Sequence, residues 1–261
     1  MSQSSAANSA APKLLQFRYA MFPEKARWAL DLCGINYHSQ AILPGPHVPI
    51  LAIKAQQKTV PVLQTADGTF KSSSQIVEWA SKQQPELKLY GESAQQREAI
   101  QAHISYFDDI GAHARRAYFN ALLQDTRYAA DLFSSGYSPK AQAVYRASFP
   151  MIKGVMKIDM NIWPKAIAKS LSKTEEALDR VAELSQQTGY LVGSRFTAAD
   201  LTAATVLGVC VLPDEYPVSV PQPRPAALQA WQKRWENHPG AAWVKHIYQQ
   251  HRPKPLAIGG L

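Results

Sequence analysis

The chain predicts an α/β domain followed by an all-helical domain. Three observations predict it. Up to about residue 84, short apolar runs with strand character alternate with helical stretches. Pro85 to Gly91 then reads as a linker. Beyond it, apolar residues recur at helical spacing and strand patterning does not return. A chain of 261 residues is long enough for two such units, each with its own core.

In the first unit, Lys13 to Phe17 is a short apolar run ending at a turn, which predicts a strand. Pro23 suits the first turn of the following helix, where its missing N–H is no loss. That helix runs through Leu32 and stops at Gly34, a natural C-terminal cap. Ile35 to Ile42 partly alternates and predicts a second strand. Pro44-Gly45-Pro46 breaks the chain before a short helix over Ile50 to Ala55. Val60 to Gln64 and Thr69 to Lys71 flank Ala66-Asp67-Gly68 and read as a hairpin. Ser73 to Ser81 closes the unit as a helix with Ile76, Val77 and Trp79 as its apolar residues. The order strand, helix, strand, helix, strand, strand, helix is a thioredoxin-like arrangement over residues 13–84. Its crossovers imply a mixed sheet with helices on its faces.

After the linker at 85–92, residues 93–255 predict the helical domain. Ser93-Ala-Gln-Gln96 is a capping box. Ile100, Ile104, Phe107, Ala114, Tyr118 and Leu122 then mark one long helix. Pro139 to Gln187 is helix-rich, with expected breaks at Pro150 and Pro164. Thr197-Ala-Ala-Asp200 is a second capping box before the apolar run Leu201 to Leu212. Pro213 to Pro225 predicts an irregular loop, followed by helices over Ala226 to Glu236 and Gly240 to Gln250. Residues 1–12 are Ser/Ala-rich with no charged side chain and read as a disordered leader; 256–261 reads as a tail.

Composition bounds the function. Hydrophobic residues make up 46% and charged residues 18%, as in a soluble globular protein and unlike a disordered one. The net charge of +8 comes without any run of four basic residues and reads as a solvated surface. No basic-aromatic motif accompanies it, so no nucleic-acid partner is expected. No apolar run reaches the roughly 20 residues needed to span a bilayer, and no membrane partner is expected. Cys33 and Cys210 sit in apolar stretches without metal or disulfide spacing. They read as structural residues in a reducing, cytoplasmic protein that needs no metal.

Three motifs taken in order carry a resemblance over about residues 13–251. They are Lys25-Ala-Arg27 with Ala29-Leu30 ending at Gly34, Val60-Pro61 followed by Ser72-Ser-Ser-Gln-Ile76, and Phe196-Thr-Ala-Ala-Asp200. In this order and spacing the chain resembles the soluble glutathione transferase family, and Phe22 to Asp31 looks especially like its bacterial branch. The resemblance implies the glutathione transferase fold, glutathione as cosubstrate, a small hydrophobic electrophile as second substrate, and a detoxifying type of transfer. It also implies a homodimer packed between the first domain of one subunit and the helices of the other.

Residue by residue, the resemblance implies a cis peptide bond before Pro61, with the backbone N–H and C=O of Val60 offered to the cysteinyl unit of glutathione. Ser73 matches the serine that holds the γ-glutamyl end at a helix N-terminus. Ser72 stands where an acid is usual. The family activates the thiol with a Ser, Cys or Tyr at the first helix start. Here Ala20 occupies the Ser or Cys position and Gln16 the Tyr position. Tyr19, one residue away, is the candidate activator, beside the N–H groups of Met21 and Phe22. Tyr106, His113, Arg116 and Phe119 on the long helix are candidates for the second-substrate wall. Asp108-Asp109, adjacent on a helix, point apart and read as surface charge. A ligand carrier or scaffold of the same fold, without catalysis, is the alternative that Ala20 and Ser72 leave open.

Overall fold

A computed structural model describes residues 11–261. Most of the leader expected over 1–12 lies outside the described residues; its last residue, Pro12, accepts a hydrogen bond from the His38 N–H at 2.8 Å. The first unit runs β1 (Lys13–Gln16), α1 (Met21–Leu32), β2 (Tyr37–Ala41), α2 (His47–Ala55), β3 (Val62–Thr65), β4 (Gly68–Phe70) and α3 (Ser73–Gln83). The sequence-predicted order is the observed one. β1 pairs parallel with β2 and antiparallel with β3, and β3 pairs antiparallel with β4. The parallel pair needs a crossover, and α1 supplies it. Gly34, at φ +69°, follows α1 and turns the chain back toward β2.

The helical unit holds α4 (Ala94–Leu122), α5 (Thr126–Ser134), α6 (Pro139–Asp159), α7 (Pro164–Leu184), α8 (Ala198–Val211), α9 (Ala226–Trp235) and α10 (Pro239–His251). α8 is its axis. Every residue of α8 except Val209 is buried, as expected of a helix that is apolar all round. Its start is fixed by Asp200, whose carboxylate accepts from the N–H and hydroxyl of Thr197 and the N–H of Leu191, each at 2.8 Å. Burial pushes the Asp200 carboxyl up to about 6, against the pull of those donors.

The structure corrects two expectations. Pro150 does not break its helix; α6 runs through it to Asp159. Pro150 is exposed, so the carbonyl one turn earlier that loses its partner faces water. Pro164, by contrast, does begin a helix. The second correction is the tail. Ala257–Ile258 forms β5, which pairs parallel with Tyr37 and His38 of β2 and completes a five-stranded sheet, β4-β3-β1-β2-β5.

The reason lies in α1, which buries Glu24, Lys25, Arg27 and Asp31. Arg252 donates to Glu24 at 2.6 Å and to Asp31 at 2.9 Å, and the Leu256 N–H donates to Asp31 at 2.8 Å. Arg27 reaches the same Glu24 at 2.8 Å, as well as Gln16. Burial opposes the charge on Arg27, and Glu24, Tyr216 and Tyr37 together outweigh it. Two carboxylates thus meet two guanidiniums inside the protein, so charge is balanced where desolvation is costly. Cys33 and Cys210 are both buried, and burial pushes the Cys33 thiol up to about 11.

Candidate functional site

Three segments meet beside the turn between β1 and α1. The β1–β3 register pairs Leu15 with Val62, so one and two further steps bring Pro61 and Val60 alongside Gln16 and Phe17. The Val60–Pro61 peptide bond is cis. On the other flank, Lys25, one turn into α1, donates to the Ser74 hydroxyl at 2.7 Å, so the N-terminal ends of α1 and α3 lie side by side.

Both helix starts present free amides. At α1 the cap is Ala20, which offers no side-chain acceptor, and Pro23 has no N–H. The Met21 and Phe22 N–H groups therefore open this helix. Met21 is buried. The Phe22 ring lies over Gly111 of α4, where a Cβ would come within 2.5 Å of its Cζ. At α3, Ser72 is the N-cap and accepts from the Gln75 N–H at 3.2 Å. Ser73, the first helical residue, is only 5% exposed, and its hydroxyl bonds to no protein group among the described residues.

Below the α3 start, Lys25 also pairs with Asp108 of α4 at 2.7 Å, and Ser74 donates to the same carboxylate at 2.5 Å. Burial pulls the Lys25 ammonium down, while Asp108 holds it up. Asp108 is thus no free surface charge, as its sequence reading had it, because one rotation of α4 turns it inward; Asp109 is exposed. Nor does Asp108 replace the acid missing at Ser72, since Lys25 and Ser74 already occupy it.

A cavity of about 230 Å³ opens beside the α1 start. Tyr19 and Met21 line it from one side, Tyr118 of α4 and Leu132 of α5 from another, and the Pro213–Pro225 loop covers it. The Tyr19 hydroxyl donates to the Ser219 carbonyl of that loop at 2.8 Å. The single phenolic proton is therefore committed to the loop and not to the α1 start. Tyr216 of the same loop bonds to Arg27 at 3.2 Å, tying the cover to the buried charge network.

Residues 14–88 match the family described as glutathione S-transferase, N-terminal domain, and residues 164–234 match glutathione S-transferase, C-terminal domain. The chain belongs to the glutathione S-transferase family. Together the two matches span more than half of it. Solved structures agree on the fold. A glutathione S-transferase from Rhodospirillum rubrum F11 is 20% identical, with a TM-score of 0.58, over 90% of this chain and 87% of that one. One from Methylobacillus flagellatus KT, with glutathione bound, is 17% identical at TM-score 0.59, over 93% of this chain and 100% of the other. A theta-class enzyme from Xanthomonas axonopodis pv. citri, also with glutathione bound, is 19% identical at TM-score 0.56, over 95% and 99%. No curated protein matches the chain.

Against this glutathione S-transferase framework, the expected second-substrate residues turn elsewhere. Tyr106, His113 and Arg116 recur every three or seven residues and share one face of α4, which packs on α7. Arg180 of α7 lies 4.6 Å over the Tyr106 ring. His113 and Arg116 both contact the Ser170 hydroxyl, at 3.1 and 2.8 Å. Phe119 stacks on Phe133 of α5 at 5.9 Å. None of the four lines the cavity; Tyr118, one position from Phe119, does. Helical spacing identified α4 but not which of its faces looks into the cleft. No cluster of metal-ligating residues occurs among the described residues.

Proposed function

We propose that the chain binds glutathione and directs its thiolate at a small hydrophobic electrophile, in a conjugation or a related elimination or isomerisation. The observation that carries this reading is the meeting of two helix N-termini, bridged by Lys25 and Ser74 at 2.7 Å, beside Val60–Pro61. A helix N-terminus favours an anion through its free N–H groups and dipole. Glutathione brings two suited anions, a γ-glutamyl carboxylate and a central thiolate. In this reading the carboxylate sits at Ser72 and Ser73, and the backbone of Val60 pairs with the cysteinyl unit as an added strand would. The thiolate faces the Met21 and Phe22 amides, which lower the thiol from its usual value near 8.5. The thiol loses its proton to solvent, and sulfur then attacks the electrophilic carbon, which either releases its leaving group with the bonding pair or passes its π pair to an acceptor atom that solvent protonates. Tyr19 orders the cavity cover instead of activating sulfur.

Ser72 leaves the γ-glutamyl ammonium without a charged partner, so the affinity expected is modest. The glutathione bound in two solved structures of the same fold supports the ligand assignment. A cytoplasmic homodimer is the assembly this reading expects. The test is glutathione titration by calorimetry, followed by a thiol-dependent assay across a panel of electrophiles. Binding with turnover supports the reading, and absence of both removes it.

A second reading, a ligand carrier without turnover, is favoured by the Tyr19–Ser219 bond and by Ala20. It expects tight binding of an apolar ligand and no consumption of thiol. Saturable turnover contradicts it.

A further inference from the structure

The cavity beside the α1 start carries a cation that the protein leaves unspent. Its walls are mostly apolar, with Met21, Leu132, Val209 and Leu212 among them. Two charged side chains line it, Arg224 and Asp214. Arg224 belongs to the loop that covers the cavity and forms no ion pair among the described residues. Its Nη1 donates to the Gln232 side-chain oxygen of α9 at 2.7 Å, and the Gln232 amide reaches the Val211 carbonyl at 3.4 Å. The Gln229 amide donates to the Arg224 carbonyl at 2.7 Å. Neutral groups thus hold both the backbone and the head of Arg224, fixing it without neutralising it. The other edge of the guanidinium is open. Its Nε–H is buried without a partner, and Nη2 bonds to no protein group among the described residues. Those two donors lie side by side in the planar fork, spaced to match the two oxygens of a carboxylate.

Tyr118 of α4 adds a second donor. It is 7% exposed and lines the same cavity, and its hydroxyl bonds to no protein group among the described residues. Burial pushes its phenol up, against the pull of Arg224, so it stays a neutral donor within the field of that cation. A buried donor left unpaired is costly unless a group from outside the chain accepts from it. Asp214 does not fill that role. It is exposed, forms no ion pair among the described residues, and is screened by water. The cavity, about 230 Å³, falls below the roughly 300 to 1,000 Å³ of drug-sized sites and so suits a small molecule.

We propose that this cavity binds a small, otherwise apolar molecule through a carboxylate, taken by the Nε–H and Nη2–H of Arg224 with Tyr118 as a further donor. In the proposed glutathione reaction, on which this choice of substrate rests, the electrophile is then a carboxylic acid whose reactive carbon lies apart from its carboxylate. The separation follows from charge, since a thiolate at the α1 start and a carboxylate repel at short range. An enone acid is the simplest such molecule. Sulfur bonds to the β carbon, the π pair of the carbon–carbon bond passes through to the ketone oxygen, and solvent returns a proton to the α carbon. The carboxylate keeps its charge throughout. A site built on unspent donors also rejects the neutral analogue, because those donors then stay buried and unpaired beside it.

The test uses the full-length protein and para-carboxybenzylidene acetone, with the primary amide of that acid as its neutral counterpart. The hydrogenated ketone of each, which cannot accept sulfur, measures binding by calorimetry. The expected result is about tenfold tighter binding of the acid than of the amide, reduced to parity in Arg224→Met and partly kept in Arg224→Lys. Equal affinity for acid and amide in the unaltered protein, or no binding of either, overturns the proposal; this comparison needs no variant to fold. An acid preference that survives Arg224→Met overturns it too. Glutathione is titrated into the same proteins, and a loss of its affinity in Arg224→Met would assign the guanidinium to a glutathione carboxylate, again overturning the proposal. With glutathione present, kcat/KM for the two enones, each divided by its spontaneous rate constant, should favour the acid by a similar factor. Turnover of the amide with no preference for the acid removes the carboxylate site alone. Preferential binding of the acid with no turnover of either enone removes the transferase reading and leaves the site standing.

Discussion

The Tyr19 hydroxyl donates to the Ser219 carbonyl across 2.8 Å, although the two residues are 200 positions apart in the chain. The bond joins the turn before α1 to the loop that covers the cavity. A phenol has one proton, so while this bond stands Tyr19 cannot also donate to sulfur.

Tyr19→Phe should therefore leave the pKa of bound glutathione unchanged and instead loosen the Pro213–Pro225 loop. The loss is one part-exposed hydrogen bond, about 1 kcal/mol. The expected kinetic outcome is a changed KM for the electrophile with the acid limb of the pH–rate profile in place. An acid limb displaced upward would restore Tyr19 as the activating group.

Gly111→Ala would ordinarily favour α4 by about 1 kcal/mol. Here the new Cβ meets Phe22 Cζ at 2.5 Å, so the expected outcome is a loss of about 1 to 3 kcal/mol by chemical denaturation. Phe22→Leu in the same chain should recover most of it. Equal losses with and without Phe22→Leu would show that the contact is not the cause.

Asp200 sets a pH dependence. Its folded value of about 6 lies above the model-compound 3.8, so the folded state holds this proton more tightly than the unfolded chain. The stability it contributes is full below about pH 4 and is lost as pH rises through about 6. Melting curves of Asp200→Asn across pH 4 to 7 should lack this slope while the unaltered protein shows it. Parallel curves would contradict the assignment. Asp200→Ala should be costly at every pH, because the Leu191 and Thr197 donors lose their acceptor.

Arg252→Met should cost about 3 to 5 kcal/mol, since Glu24 and Asp31 remain buried with one cation instead of two. The same change should free β5 from β2, seen as faster amide exchange at Ile258. Unchanged exchange there would show that strand pairing alone holds the tail.

The sequence made the fold legible because its signals are local. Pro23 and Gly34 bracket α1, Asp67-Gly68 turns the hairpin, and Ser93 and Thr197 cap their helices. β5 was not legible, because two residues cannot show a period and their place is set by Arg252 and Leu256 reaching Asp31 more than 220 positions away. Pro150 misled because a proline costs little where its missing bond faces water. Nothing local in the sequence marks Glu24, Lys25 and Arg27 as interior; the packing of α1 against α3 and α8 makes them so. Motif order names Val60, Pro61, Ser72, Ser73 and Met21 as candidates for the proposed site. It does not give the phase of α4, where one residue, the difference between Phe119 and Tyr118, rotates a side chain by about 100°.

The central claim is that the α1 start holds glutathione as thiolate. The most direct test is a pH titration of the thiolate ultraviolet absorbance of glutathione bound to the protein. The predicted midpoint lies at least about one unit below the usual thiol value near 8.5. A midpoint at that value, or no glutathione bound at any pH, would contradict the claim.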